Sequence, residues 1–202
     1  MSRDQASRVV LASASPRRAA LLHAAGFEFD VRPSGVVEWP YAGGSPAGYA
    51  EALARAKVAA VDGDVVVGAD TVVVVDGEVL GKPASPQGAA AMLRRLSGRA
   101  HDVITGVAVR DARGVRSAHA RARVSFRTLS DADVRDYVAS GEPHDKAGGY
   151  AYQGGAAAFV AGLDGDADTV IGLPIRVLER LLPDDLRRGP IPPSGGEQLP
   201  PG

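Results

Sequence analysis

Cysteine is absent from the chain, which excludes disulfides, thiolate zinc sites and a cysteine nucleophile and agrees with a reducing compartment. Asparagine is absent too, and lysine is scarce: Lys57, Lys82 and Lys146 stand against 20 arginines among 23 basic residues. A coding bias that converts lysine to arginine leaves the survivors as candidates for positions that need a compact ammonium and not a planar guanidinium. Aromatic residues make up 5% of the chain and the net charge is −1. Neither a basic coat nor a row of stacking rings for nucleic acid is implied. There is no apolar run of about 18 residues, the length of a membrane span. Met1 to Val10, where Arg3, Asp4 and Arg8 fall among polar residues, shows no signal-peptide pattern. The expected location is the cytoplasm, with no membrane or nucleic-acid partner. The Gly-rich lysine loop and the G-x-G-x-x-G turn of the familiar nucleotide sites are also missing.

What is present is organised around Val65 to Val75, in which Gly68-Ala69-Asp70-Thr71 interrupts seven valines before Asp76-Gly77 turns the chain back through Glu78 to Pro83. β-Branched residues on both sides of the break predict a strand covered on both faces, and Asp-Gly predicts a tight hairpin. Asp70 is therefore expected inside a buried strand, where an unpartnered carboxylate costs several kcal/mol. With a turn at Asp76-Gly77, residues whose numbers sum to 153 face one another. That register puts Lys82 opposite Thr71 and beside Asp70, and Gly68 and Gly81 are expected to clear backbone space for a ligand.

Upstream, Val9 to Ala12 reads as a short strand, followed by Ser15-Pro16 as the cap and first turn of a helix that stops at Gly26. Arg17 and Arg18 then occupy a first turn whose dipole disfavours cations. The conflict disappears if Ser13, Ser15, both arginines and the free backbone N–H groups cradle an anion. Phe27 to Val31 reads as a strand, Glu38 lies in a Gly/Pro-rich loop where a solvated carboxylate is the simpler reading, and Ser45-Pro46 opens a helix carrying Lys57 on an apolar face. Farther on come a helix from Ser85-Pro86 to Gly98, strands at 101–109 and 115–126, and a helix after Ser130. A loop from Glu142 to Gly155 is dense in glycine and functional side chains, Lys146, Tyr152 and Gln153 among them. Ala156 to Ala161 is read as a strand and Val170 to Leu182 as one last helix start and run. Residues 183–202, rich in Pro and Gly, are read as a disordered tail after a single domain of residues 8–182.

Leu11-Ala12-Ser13, Ser15-Pro16-Arg17-Arg18, Gly68-Ala69-Asp70-Thr71-Val72, Gly81-Lys82-Pro83, Thr105-Gly106-Val107, Phe126-Arg127-Thr128-Leu129, Asp145-Lys146-Ala147-Gly148 and Gly172-Leu173-Pro174 together resemble one family, the Maf-like nucleoside triphosphate pyrophosphatases. The resemblance implies an α/β, two-lobed fold, an extended mixed β-sheet flanked by helices with a central cleft, often as a homodimer. It implies hydrolysis of (deoxy)nucleoside triphosphates to monophosphate and pyrophosphate with a divalent metal cation, Mg²⁺ or Mn²⁺. By the matching motifs, Asp70 is implied as the proton acceptor with Lys82 beside it in catalysis. Arg17, Thr71 and Gln153 are tied to substrate choice, and Ser13, Ser15, Arg18, Lys57 and Lys146 to substrate binding. Glu38 is implied near the metal. The Ala69-Asp70-Thr71 and Asp145-Lys146-Ala147-Gly148 versions resemble the branch acting on dTTP and UTP. Two other readings stay open at this point: nucleotidyl transfer to a second acceptor, and a regulatory nucleotide-binding module that restrains septum formation through a partner.

Overall fold

The computed structural model describes residues 9–187. Its centre is one sheet of seven strands: β1 (Val9–Leu11), β2 (Phe29–Val31), β3 (Val65–Val75), β4 (Glu78–Leu80), β5 (Ala100–Asp111), β6 (Gly114–Phe126) and β7 (Val160–Asp164). The order is β2-β1-β3-β5-β6-β7, with β4 also paired to β3. β1 runs parallel to β2 and β3, and every other pairing is antiparallel. The helices are α1 (Pro16–Ala24), α2 (Pro46–Ala59), α3 (Pro86–Leu96), α4 (Asp131–Ala139), α5 (Ala167–Ile171) and α6 (Ile175–Leu181). Ser15, Ser45, Ser85 and Ser130 cap the first four from their side chains, and a proline follows in the first turn of the first three.

Both faces of β3 are covered, because alternate side chains meet different partners. The even-numbered Val66, Val72 and Val74 pack beneath α2, in clusters with Ala50, Ala54 and Val58. The odd-numbered residues face the other way and divide into two cores. Val65, Val67 and Ala69 join Leu22 of α1 and Leu178 of α6. Val73 and Val75 join Leu93 of α3, Val134 and Tyr137 of α4, and Phe159. Between these cores lies a polar layer, Thr71 opposite Thr105. Two apolar masses on one face separated by a band of hydroxyls are the physical content of the two lobes.

Two expected elements differ. Ala156 to Ala161 is not a strand throughout: Gly155–Phe159 is a 3₁₀ turn and pairing starts at Val160, because an Ala-rich run with buried Ala156 and Phe159 winds into the second core instead of lying along β6. Val170 to Leu182 is two helices, since Gly172 at φ +119 ends α5 and Pro174 starts α6. After α6, Asp184–Leu186 forms a 3₁₀ turn and Leu186 packs on the first core. Residues 188–202, where the rest of the tail is expected, lie outside the described residues.

Candidate active site in a gap of the sheet

β1 pairs with β3 along Val65–Val67 and β4 pairs with β3 along Val73–Val75, on the edge opposite β5. Residues 68–72 have no strand on that edge. The last link on the β1 side is from Ala12 N–H to the Val67 carbonyl at 2.7 Å, after which the chain turns into α1. A cavity of about 680 Å³ opens at this gap, at the carboxyl end of β1, where open α/β sheets bind ligands. Because the gap exposes both faces of β3, the oppositely directed Asp70 and Thr71 line the same cavity.

Asp70 is 5% exposed and Lys57 7%. The Lys57 ammonium donates to Asp70 Oδ1 at 2.6 Å and to Glu38 Oε1 at 2.9 Å, while Lys82 donates to Glu38 Oε2 at 2.7 Å. The hairpin register is as the sequence predicts, Val73 facing Leu80 and Val75 facing Glu78, yet Lys82 is not the cation on Asp70. β4 ends at Leu80, and Lys82 turns to the loop carboxylate. The buried partner is Lys57, brought down by α2. Gly68 and Gly106 make that approach: a Cβ on Gly68 would lie 2.9 Å from the Ala54 carbonyl oxygen, and one on Gly106 would lie 2.5 Å from the Ala50 and Glu51 backbone. Gly68 thus clears space for a helix, not for a ligand. A Cβ on Gly81 would meet nothing within 4 Å, and its carbonyl accepts from Gly148 N–H, fastening the Gly-rich loop to the hairpin.

Burial raises the Asp70 carboxyl above its ordinary 3.8 against the pull of Lys57 and Arg18. Burial also acts to raise Glu38, but its bonds to Lys82 and Lys57 and their charges outweigh it and bring it down to about 2. Glu38 is therefore an ionised bridge between two ammoniums, and not the solvated loop carboxylate that its surroundings in sequence suggest.

On the other face, Arg18 reaches across from the first turn of α1. Its Nε donates to the Gly172 carbonyl at 2.8 Å, Nη1 to Ser13 Oγ at 3.3 Å and Nη2 to Thr71 Oγ1 at 3.2 Å. All three acceptors are neutral, and burial lowers the affinity of the guanidinium for its proton. Two of its five N–H groups stay uncommitted. Ser15 Oγ accepts from Arg18 N–H at 3.4 Å, and Ser13 Oγ from Ser15 N–H at 3.2 Å. The Arg17 side chain makes no hydrogen bond or salt bridge among the described residues and lines the cavity. Opposite, Lys146 bonds the Glu142 carbonyl at 2.9 Å and the Asp145 carboxylate, and Gln153 is exposed to the cavity. The structure brings every candidate, Ser13, Ser15, Arg17, Arg18, Glu38, Lys57, Asp70, Thr71, Lys82, Lys146 and Gln153, onto one wall or another of this cavity.

Five cationic side chains, Arg17, Arg18, Lys57, Lys82 and Lys146, around three carboxylates, Glu38, Asp70 and Asp145, suit a polyanion. Residues 8–184 match the sequence model of the family described as Maf-like protein. The chain belongs to the Maf family. Among curated relatives of this Maf member, the dTTP/UTP pyrophosphatase of Moorella thermoacetica is 52% identical over 182 residues, covering 87% of this chain and 94% of the relative. Those of Pelotomaculum thermopropionicum and Geobacter sulfurreducens are 51% and 49% identical, covering 86% and 90% of this chain and 94% and 96% of the relatives.

Three contributors to this Maf site carry no role in the sequence reading. Thr105 and Gly172 converge on Thr71 and Arg18 from β5 and the α5–α6 turn. Gly106 seats α2. Only Gly106 leaves a local sign, a glycine in the middle of an apolar strand, which marks close backbone approach. Among the described residues no three His, Asp or Glu side chains are grouped to hold a metal alone. Glu38 and Asp70, both on the Lys57 ammonium, do fit a hard cation that takes one or two carboxylates and completes its shell with phosphate oxygens.

Proposed function

We propose that the protein hydrolyses nucleoside triphosphates, with dTTP and UTP preferred, to the monophosphate and pyrophosphate. The observation that carries the reading is the Asp70 carboxylate held 2.6 Å from the Lys57 ammonium inside a cavity whose lining includes Arg17, Arg18, Lys82 and Lys146. Relatives that are about half identical over nearly their whole length are dTTP/UTP pyrophosphatases, which supports the same substrates here.

In this account Asp70 accepts a proton from the water that attacks the α-phosphorus. The bond from that phosphorus to the bridging oxygen breaks, and pyrophosphate leaves with the electron pair. Asp70 is raised by burial, which brings a weak base nearer its working range. Lys57 holds it in place and, with Arg18 and Lys82, stabilises the charge that develops on the phosphoryl oxygens. Arg17 and Lys146 take the rest of the triphosphate, and Gln153 and Thr71 the nucleoside. Ser13 and Ser15 shape the turn beneath the phosphates. A divalent cation, Mg²⁺ or Mn²⁺, held by Glu38 with triphosphate oxygens, supplies further charge neutralisation when bound. As an incoming triphosphate takes over Lys82, Glu38 Oε2, the oxygen that Lys82 holds, would be freed for that task. A homodimer working in the cytoplasm completes the proposal; no described helix is long and apolar enough to cross a membrane.

The test is a screen of purified protein against dTTP, UTP, CTP, dATP and dGTP with Mg²⁺, identifying both products. Monophosphate with pyrophosphate, fastest from dTTP and UTP, is the expected result. Turnover only with a second acceptor would instead establish nucleotidyl transfer, and tight binding without turnover would establish a regulatory module.

A further inference from the structure

The polar layer between the two cores fixes more than packing. Thr105 is fully buried, and its hydroxyl donates to the Thr169 carbonyl at 2.7 Å. A hydroxyl has one proton and two lone pairs, so toward Thr71, 2.9 Å away, Thr105 can only accept. The Thr71 proton is therefore spent on Thr105. One Thr71 lone pair takes the Arg18 Nη2 proton at 3.2 Å, and what remains for the cavity is a single lone pair. Ser13 is the converse case. Its Oγ accepts from Ser15 N–H and from Arg18 Nη1, so it turns a proton outward. Phosphate oxygens accept and do not donate once ionised. Ser13 suits them, and Thr71 does not.

We propose that Thr105 is a positioning residue that locks Thr71 as a hydrogen-bond acceptor, so that Thr71 receives an N–H or O–H of the nucleoside and contributes nothing to holding the phosphates. This rests on the hydrolase reading above. The shared chemistry is one donor on the substrate, and two are common to UTP and dTTP: the imino N3–H of the base and the 3′-hydroxyl of the sugar. A polar group whose proton direction is fixed discriminates better than a free hydroxyl, because a mismatched substrate leaves it unpaired in a half-buried place.

The experiment measures kcat and KM for UTP, N3-methyl-UTP and 3′-deoxy-UTP with the parent protein, Thr105→Val and Thr105→Ser. The parent is expected to favour UTP over one of the two analogues by roughly 10–100-fold in kcat/KM, the value of one lost hydrogen bond, and the analogue that fails names the donor. Thr105→Val frees the Thr71 proton, so that ratio is expected to fall to about threefold or less, while Thr105→Ser, which keeps the hydroxyl, retains it. A purely structural role lowers activity on all three substrates together and leaves the ratio unmoved. If the valine protein fails to fold, Thr105→Ala is judged by the same ratio. Equal use of all three substrates by the parent, a ratio unchanged by Thr105→Val, or a ratio lost in Thr105→Ser overturns the inference while hydrolysis stands. A parent that hydrolyses no triphosphate overturns the hydrolase reading itself, and this inference with it.

Discussion

At the scale of single residues, the site turns on how Asp70 is neutralised. Its side chain is 8% exposed and that of Lys57 is 9% exposed, so each charge depends mainly on the other for compensation. Removing one partner of such a pair leaves the other buried and unpaired, at a cost of about 3–5 kcal/mol. Lys57→Met is expected to lose stability on that order, read by chemical denaturation. It also has a signature in pH. The working form of Asp70 is the carboxylate, so activity falls as pH drops through its folded pKa, which burial has raised above 3.8. The acid limb of kcat/KM in the parent therefore lies above that value. Lys57 opposes the rise, so in Lys57→Met the limb moves to still higher pH. A limb that stays where it was would show that it reports some other group. The lysine scarcity is consistent with this: Lys57, Lys82 and Lys146, candidates by composition for positions needing an ammonium, all line the one cavity. Composition could not say which lysine meets Asp70. That depends on where a helix sits, and the hairpin register alone suggested the wrong one.

At the scale of elements, the placement of α2 is decided by two glycines on neighbouring strands. Gly106→Ala puts a Cβ 2.5 Å from backbone atoms of Ala50 and Glu51, which must move because backbone has no rotamer to yield. Overpacking of this kind costs about 1–3 kcal/mol, and it lifts Lys57 off Asp70. The expected outcome is a lower melting temperature together with a loss of kcat/KM larger than the stability change explains, checked by calorimetry and kinetics on the folded protein. An alanine variant with unaltered activity would show that the seating of α2 is slack. The strands and capped helices were legible because their signals are local: seven valines for β3, Ser-Pro pairs for three helix starts, alternation for β6. The 3₁₀ turn at Gly155–Phe159 was not, because an alanine-rich run has no period of its own and the second core decides its course; the split of the last helix does have local signs, Gly172 and Pro174, which a reading by apolar periodicity alone runs through.

At the scale of the whole molecule, one topological fact produces the site. β1 leaves β3 after Leu11, β4 rejoins it at Val73, and the unpaired stretch between them opens both faces of the sheet to one cavity. The base proposed on the α2 face, Asp70, and the nucleoside-reading hydroxyl proposed on the other, Thr71, then meet in the same cavity. The sequence placed these residues together only through resemblance to a family, since no spacing rule brings Arg18, Thr71 and Gly172 to one point. The most direct test of this account is the turnover of UTP by Asp70→Asn with both products identified. The amide keeps the shape and removes the base, so kcat is expected to fall on the order of 10²–10⁴-fold, with the UTP dissociation constant unchanged or lower because a carboxylate no longer repels the phosphates. A folded Asp70→Asn protein that still converts UTP to UMP and pyrophosphate at close to the parent rate would contradict it.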